Sequence, residues 1–169
     1  LTQSVLPHDF LAIGLLEPDG RSVRIHAYTG ARIPDLPETI QLESEDLAKK
    51  EWEFEIIGDI ETEVDRACPK YALLSRTGIR SSLRVPIRFE GTVAGGLVFH
   101  SKTPHHFREE DVEIARRVAD ELTLVLSHQR MAGEARRAEE ARAEAQRLEA
   151  QLARLTEELE SRDGFGRII

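Results

Sequence analysis

Residues 81–100 have the sequence SSLRVPIRFEGTVAGGLVFH, in which apolar side chains recur at every second position on both sides of Glu90-Gly91. The alternating set consists of Leu83, Val85, Ile87, Phe89, Val93, Gly95, Leu97 and Phe99. Two alternating runs joined by a short turn predict an antiparallel β-hairpin with one apolar face. Pro86 predicts an edge position or a bulge, because proline has no N–H to donate to a neighbouring strand.

The period of the pattern becomes helical from about Arg108. One apolar stripe consists of Val112, Ala115, Val118, Ala119, Leu122, Val125 and Leu126. This spacing predicts a helix with one apolar face.

The residues before this hairpin predict a second hairpin and shorter elements. Residues 10–16 form an apolar run, and Asp19-Gly20 marks a turn. In residues 21–28, Val23, Ile25 and Ala27 are expected on one face, opposite Arg24, His26 and Tyr28.

The middle of the chain predicts alternating short strands and helices. Residues 29–38 are expected to be loop, and residues 39–42 and 54–58 are strand-like. Residues 43–53 have helical composition with Ser44 as a possible N-cap. A short helix is predicted from Pro69 to Arg76, with Gly78 just past its end.

Composition excludes several classes of protein. The chain has 169 residues and a net charge of −8, which argues against a broad nucleic-acid or anionic-membrane surface. A single cysteine, Cys68, excludes an internal disulfide and favours a reducing, cytoplasmic setting. The longest strongly apolar run, residues 10–16, is far shorter than the ~20 residues that span a bilayer. The chain begins with Leu1 and has no signal peptide, so we expect it to be cut from a larger protein.

The composition changes sharply towards the carboxyl end. No proline follows Pro104, and 15 of the 31 residues from 133 to 163 are charged. This segment predicts one long helix, and the first ~130 residues are left to form the folded core.

Leucines at spacings of 4, 3 and 4 predict that the long helix pairs with another helix. Such spacing places apolar side chains at the a and d positions of a coiled coil. The predicted seam consists of Met131, Glu134, Ala138, Ala141, Ala145, Leu148, Leu152, Leu155 and Leu159. A second copy of the chain is the simplest partner, which predicts a homodimer.

The charges beside the seam predict that this pairing is weak. In a parallel dimer Arg137 would face Arg142 of the other copy, and Glu144 would face Glu149. Like charges and an alanine-rich seam predict a coiled coil that needs the folded domain to hold it together. A single solvated helix, held by intrahelical ion pairs, remains the alternative.

Three segments of the chain carry a family resemblance. Residues 83–87 (LRVPI), 91–99 (GTVAGGLVF) and 107–111 (FREED) resemble the carboxyl-terminal half of a GAF domain, and residues 5–10 resemble the approach to its first strand. The resemblance covers about residues 1–128. It implies an α+β fold with an antiparallel sheet, helices on both sides and a small-molecule pocket under the variable segment. Arg108 departs from the Ser or Thr that caps the terminal helix in many relatives, which predicts a poorer cap.

The last residues resemble a domain junction. The ending Phe165-Gly-Arg-Ile-Ile169 is similar to the start of the AAA+ ATPase domain in sigma-54-dependent transcriptional activators. That resemblance implies a GAF sensory domain at 1–128, a coiled-coil signalling helix at 129–163 that ends at Gly164, and the start of an ATPase at 164–169. A GAF module of a histidine kinase or cyclic-dinucleotide enzyme, or a ligand-free dimerisation scaffold, remain alternatives.

The sequence predicts a binding module without catalytic residues. Aromatic and polar residues that could line a ligand pocket are His26, Tyr28, Trp52, Tyr71, Arg84 and His100. Each has a simpler interpretation as core or surface. Ser81-Ser82 and the acidic segment 59–65 have no catalytic partner at motif spacing, so we interpret them as a turn and a solvated surface.

No cofactor is predicted from motifs. The six histidines lack metal-ligand spacing, and Cys68 lacks the context of a tetrapyrrole attachment site. The Asn-Lys-Phe-Asp-Glu set of cyclic-nucleotide-binding GAF domains is also absent. The effector therefore stays unknown at this level.

Overall fold

The computed structural model describes residues 5–30, 33–43 and 51–166. The chain divides into two compact units, Leu1–Val125 and Leu126–Ile169. Six strands and three helices are assigned in the described residues. They are β1 (Phe10–Leu16), β2 (Ser22–Gly30), β3 (Thr39–Gln41), β4 (Glu55–Ile57), α1 (Ile60–Glu63), α2 (Pro69–Arg76), β5 (Ser81–Phe89), β6 (Thr92–Ser101) and α3 (Glu109–Gly166).

All six strands belong to one antiparallel sheet with the order β3-β2-β1-β6-β5-β4. The hairpin predicted from residues 81–100 is β5–β6, in which Leu83 pairs with Phe99. Strand β1 lies against β6, with Phe10 opposite His100. The predicted α+β class with an antiparallel sheet and a long terminal helix is confirmed.

One face of the sheet, here called the helix face, is closed to water at β5 and β6. Leu83, Val85, Ile87, Leu97 and Phe99 each have 0% exposure. The predicted helical stripe is also buried in its first turns, at Val112, Ala115 and Ala119. A helix that packs on one face of an antiparallel sheet buries the apolar side chains of both elements in this way.

Pro86 lies in the part of β5 that does not pair with β4. Strand β4 pairs with β5 only from Ile57↔Ser82 to Glu55↔Arg84, so Pro86 is beyond its reach. A register shift follows at Ile87/Arg88. The edge position predicted for Pro86 is therefore confirmed for this end of the strand.

The face assignment predicted for β2 is confirmed for Val23, Arg24 and Ile25 and is wrong from His26 onwards. A bulge between Ile13 and Gly14 leaves His26 without a partner in β1. Ile25 pairs with Gly14 and Tyr28 with Ala12, so Ile25 and Tyr28 share one face. An extra residue in one strand shifts the alternation by one position, which the sequence pattern alone did not reveal.

Two other local predictions need correction. Strand β2 extends to Gly30, two residues into the predicted loop. The helix expected at 43–53 does not include residues 51–53, which are irregular, and residues 44–50, with the expected N-cap Ser44, lie outside the described part of the chain.

The long helix begins and ends differently from the prediction. Asp111 compensates for Arg108, since its carboxylate accepts the Arg108 backbone N–H at 2.8 Å, one half of a capping box. Helix α3 continues through Gly164 to Gly166, so Gly164 does not end it. Within the described residues, no helix combines the length and the apolar character needed to cross a bilayer.

Candidate functional site

The second face of the sheet, here called the cover face, is covered by the segment between β4 and β5. Phe10 and Ala12 of this face form a buried cluster with Ile57, Ile60 and Ile79. Helix α2 adds Tyr71, Leu73 and Leu74 to the edge of that cluster. Proline at the start of α2 and Gly78 at φ 78° after its end fix the helix length, because Gly tolerates the left-handed backbone that reverses the chain.

His100 is a buried polar residue of the cover face. It lies between Phe10 of β1 and Ser82 of β5. Its Nδ1 is buried and has no hydrogen-bond partner in the described residues. Burial lowers the pKa of His100 to about 4, so the ring is neutral at pH 7. A neutral imidazole with an unused nitrogen can donate or accept one hydrogen bond, according to its tautomer.

An aromatic row continues from His100 across the sheet. The Phe10 ring lies 5.7 Å from the His100 ring and 5.6 Å from the Tyr28 ring, measured between centroids. Tyr28 is 52% exposed. Phe10 therefore connects a buried polar ring to one that solvent reaches.

Tyr28 also lines an open groove of about 480 Å³ at the β2 side of the sheet. The groove is lined by Ile25, His26, Ala27, Tyr28, Ile33, Asp35, Leu36, Pro37 and Glu38. Its ionisable side chains, His26, Asp35 and Glu38, give it an acidic character. His26 is exposed at the bulge and stands apart from His100.

Trp52 and Arg84 form the second polar–aromatic group of the cover face. The Arg84 guanidinium carbon lies 4.6 Å from the centre of the Trp52 ring, a cation–π geometry. Arg84 also pairs with Glu55 at 3.1 Å. Gly96 lies against the ring, since a Cβ at this position would lie 3.7 Å from the Trp52 ring edge, an ordinary van der Waals contact.

The six pocket candidates are thus not one continuous site. The structure brings Trp52 to Arg84 and connects Tyr28 to His100 through Phe10, a residue that no sequence motif singles out. Tyr71 packs against the core cluster, as its simpler interpretation predicted. The ligand pocket itself stays a prediction.

Asp59 is a buried residue that the sequence interpretation missed. The acidic composition of residues 59–65 predicts a solvated surface, but Asp59 is 6% exposed and caps α1 by accepting the Glu61 N–H. Its carboxylate accepts two hydrogen bonds from Arg80, at 3.0 and 2.6 Å. The Arg80 bond holds the pKa of Asp59 down at about 2. Because Asp59 follows Gly58 directly, this pair anchors the cover beside the end of β4.

The described residues contain no group of three or more His, Cys, Asp or Glu side chains placed to hold a metal ion. Cys68 is a half-buried free thiol that precedes α2.

The second unit, Leu126–Ile169, presents the predicted seam to solvent. Its large seam residues are all about half exposed or more, namely Met131, Leu148, Leu152, Leu155 and Leu159. Exposed leucines in an a/d pattern are typical of a helix that pairs with another helix.

The sequence profile of the GAF domain family matches residues 5–126. The chain therefore belongs to the GAF domain family, a family of signal-sensing domains. A comparison with curated protein sequences finds no significant match.

Solved structures confirm the fold. A domain of a two-component sensor histidine kinase protein from Sinorhizobium meliloti has a TM-score of 0.65 at 22% identity, over 80% of this chain and 90% of that chain. A GAF domain from Synechocystis in its photoproduct state has a TM-score of 0.63 at 17% identity, over 79% and 90%. A type II free methionine-R-sulfoxide reductase from Thermoplasma acidophilum has a TM-score of 0.56 at 24% identity, over 72% and 80%.

Proposed function

We propose that this chain is the regulatory, signal-sensing module of a sigma-54-dependent transcriptional activator. A small effector acts at the cover face, and its state passes through a dimeric α3 to a downstream AAA+ ATPase. The module itself has no catalytic role, does not contact nucleic acid or a membrane, and works in the cytoplasm.

The observation that carries the proposal is the continuity of α3. One helix extends from Glu109 to Gly166 and carries the exposed leucines towards the terminal Phe-Gly-Arg-Ile-Ile motif. A sensory domain that ends in such a helix can change the activity of whatever follows by changing how two helices pair. The similarity of residues 165–169 to the activator junction selects the AAA+ class.

The buried His100 supports the input side of the proposal. A buried polar atom without a partner has a desolvation cost that native proteins rarely retain. A ligand atom that forms a hydrogen bond with Nδ1 would remove this cost. The ligand would therefore bind more tightly to the conformation of the cover in which that bond can form. The effector is thus expected to present a hydrogen-bonding group next to an apolar or aromatic surface that meets Phe10.

The exposed seam supports the output side. Two copies paired in parallel would bury Leu148, Leu152, Leu155 and Leu159, whereas the alanines before them add little apolar area. We therefore propose a dimer whose leucine end is its stronger part. The isolated segment 130–163 is expected to be monomeric at micromolar concentration.

Native mass spectrometry of the protein purified from its own host tests both sides together. The expected spectrum shows a dimer with a bound small molecule. A monomer without added mass would contradict the proposal. The coding sequence after Ile169 tests the downstream assignment, which requires a Gly-x-Ser start followed by a phosphate loop.

A ligand-free dimerisation scaffold is the second candidate, and one observation favours it. Phe10, Ile57, Tyr71 and Leu74 occupy much of the space beneath the cover, and the 480 Å³ groove lies at the β2 side instead. A thermal-melt screen with small metabolites separates the two candidates. A ligand that raises the Tm supports sensing, and no shift across the screen supports the scaffold.

A further inference from the structure

Residues Trp52, Glu53 and Phe54, here called the strap, contact both sides of the sheet edge. They precede β4 and are irregular in backbone structure. The Trp52 ring lies on the cover face at Arg84 and Gly96. Glu53 and Phe54 instead contact Arg116, a residue of α3. Three consecutive residues therefore touch the proposed input face and the proposed output helix.

The contacts to α3 are specific but weak. Arg116 Nη2 lies 3.1 Å from Glu53 Oε2, and the Arg116 guanidinium carbon lies 5.8 Å from the centre of the Phe54 ring. Both charged side chains are substantially exposed, at 45% and 76%. Exposed ion pairs contribute little to stability, so this one can break and re-form without unfolding the domain.

A competing partner for Arg116 is already present. Asp120 follows Arg116 by one helical turn, and both line a cavity of about 310 Å³ together with Glu53, Pro86 and Arg88. Side chains four residues apart on a helix are neighbours. Arg116 can therefore pair with Glu53, which holds the strap, or with Asp120, which releases it.

We propose that the strap couples the cover face to α3, with Arg116 exchanging between Glu53 and Asp120. A change at Arg84 or Gly96 moves Trp52, and the chain carries that movement into the Arg116 contact within two residues. Arg88 holds the backbone of the strap in place, because its Nη2 donates to the Trp52 carbonyl oxygen at 2.9 Å. The inference rests on the proposed function in treating the cover face as the input.

Trp52 is the sole tryptophan of the chain, so its fluorescence reports on the strap directly. The experiment is acrylamide quenching of Trp52 in the full chain, with circular dichroism to show that each variant is folded. Arg116→Gln should raise the Stern–Volmer constant at least about twofold, because the released strap opens locally. Arg117→Gln is the matched control, since the ion pair of Arg117 in the described part of the chain is with Glu113 of the same helix. It should leave the constant at the wild-type value.

Two further variants keep the test decisive. Glu53→Gln should reproduce the increase in the Stern–Volmer constant seen in Arg116→Gln. Asp120→Asn should lower the constant, because it leaves Glu53 as the acidic group of the cavity with which Arg116 pairs. Unchanged quenching in both Arg116→Gln and Glu53→Gln would overturn the coupling. A constant in Asp120→Asn equal to or above the wild-type value would overturn the exchange.

The measurement needs neither an effector nor a dimer. Increased quenching in Arg116→Gln, combined with no bound molecule in native mass spectrometry, would refute ligand sensing and leave the coupling intact. Unchanged quenching in a protein that does bind an effector would refute the coupling alone.

Discussion

The His100 ring lies 5.7 Å from the ring of Phe10, and its Nδ1 is buried among the described residues without a hydrogen-bond partner. Burial lowers the pKa of this histidine from 6.5 to about 4. A base with a lowered pKa binds its proton less readily in the folded protein than in the unfolded chain. Acid therefore favours unfolding through this residue.

We expect the free energy of unfolding to fall between pH 6.5 and pH 4 by up to about 3 kcal/mol because of His100. Above pH 6.5 both states are neutral and the contribution is constant. His100→Leu should remove this part of the pH dependence, as measured by urea unfolding at several pH values. His26→Gln, at an exposed histidine, is the control. Identical slopes in His100→Leu and the wild type would contradict the assignment.

Asp59 differs from His100, because its lowered pKa belongs to an acid and stabilises the fold through the charged form. Its pKa is lowered to about 2 by the Arg80 bond, so its stabilisation is present above its usual pKa of 3.8 and lost as the pH falls towards 2. Asp59→Asn should lower the Tm at pH 7 by several degrees, because it removes the carboxylate that binds Arg80 and caps α1. Glu61→Gln removes a more distant carboxylate, 3.8 Å from Arg80, and should change the Tm little. Equal Tm losses in the two variants would argue against a special role for Asp59.

The adjacent glycines of β6 should differ in their tolerance of a side chain. A Cβ at Gly95 would lie 2.1 Å from the Gly14 carbonyl oxygen, which belongs to the backbone and cannot move aside freely. Gly95→Ala should destabilise the domain by about 1–3 kcal/mol in chemical unfolding. Gly96→Ala is the matched control, because a Cβ at this position would have its nearest neighbours 3.7 Å away, an ordinary contact distance. Similar losses at both positions would show that β1 and β6 do not approach as closely as described.

The charge pattern of α3 provides a test of parallel pairing. Glu144 and Glu149 face each other between copies only in the parallel arrangement. Glu149→Arg should then strengthen the dimer roughly 5- to 10-fold in Kd, by turning two repulsions into two attractions. Glu139→Arg makes the same charge change away from the seam and should leave the Kd nearly unchanged. Sedimentation equilibrium measures both, and an unaffected Glu149→Arg dimer would exclude parallel pairing.

The parts of the fold that depend on local pattern could be predicted from the sequence. The β5–β6 hairpin and the start of α3 follow from alternation and helical spacing, since each pattern buries one face. The phase of β2 could not be predicted, because the bulge at His26 depends on pairing with β1. The buried state of Asp59 was equally hidden, since its partner Arg80 is distant in sequence.

For the candidate site, the sequence indicated which types of residue take part but not how they are arranged. His100 and Trp52 stood out as a polar residue on a strand and an aromatic residue in the cover. Their surroundings depend on the register of three strands, which no local pattern contains. The role of Phe10 as the link between His100 and Tyr28 depends on the β1–β6 pairing and left no signal in its own segment.

The short reach of β4 has a consequence for how copies of this domain behave when crowded. An exposed strand edge is a template on which another chain can add a strand and begin an aggregate. Beyond Arg84 the outer edge of β5 has no pairing with β4, and Pro86 stands in the middle of it without an N–H group. Arg88, two residues further along β5, adds a positively charged side chain to this end of the strand. The open edge is thereby protected against strand addition.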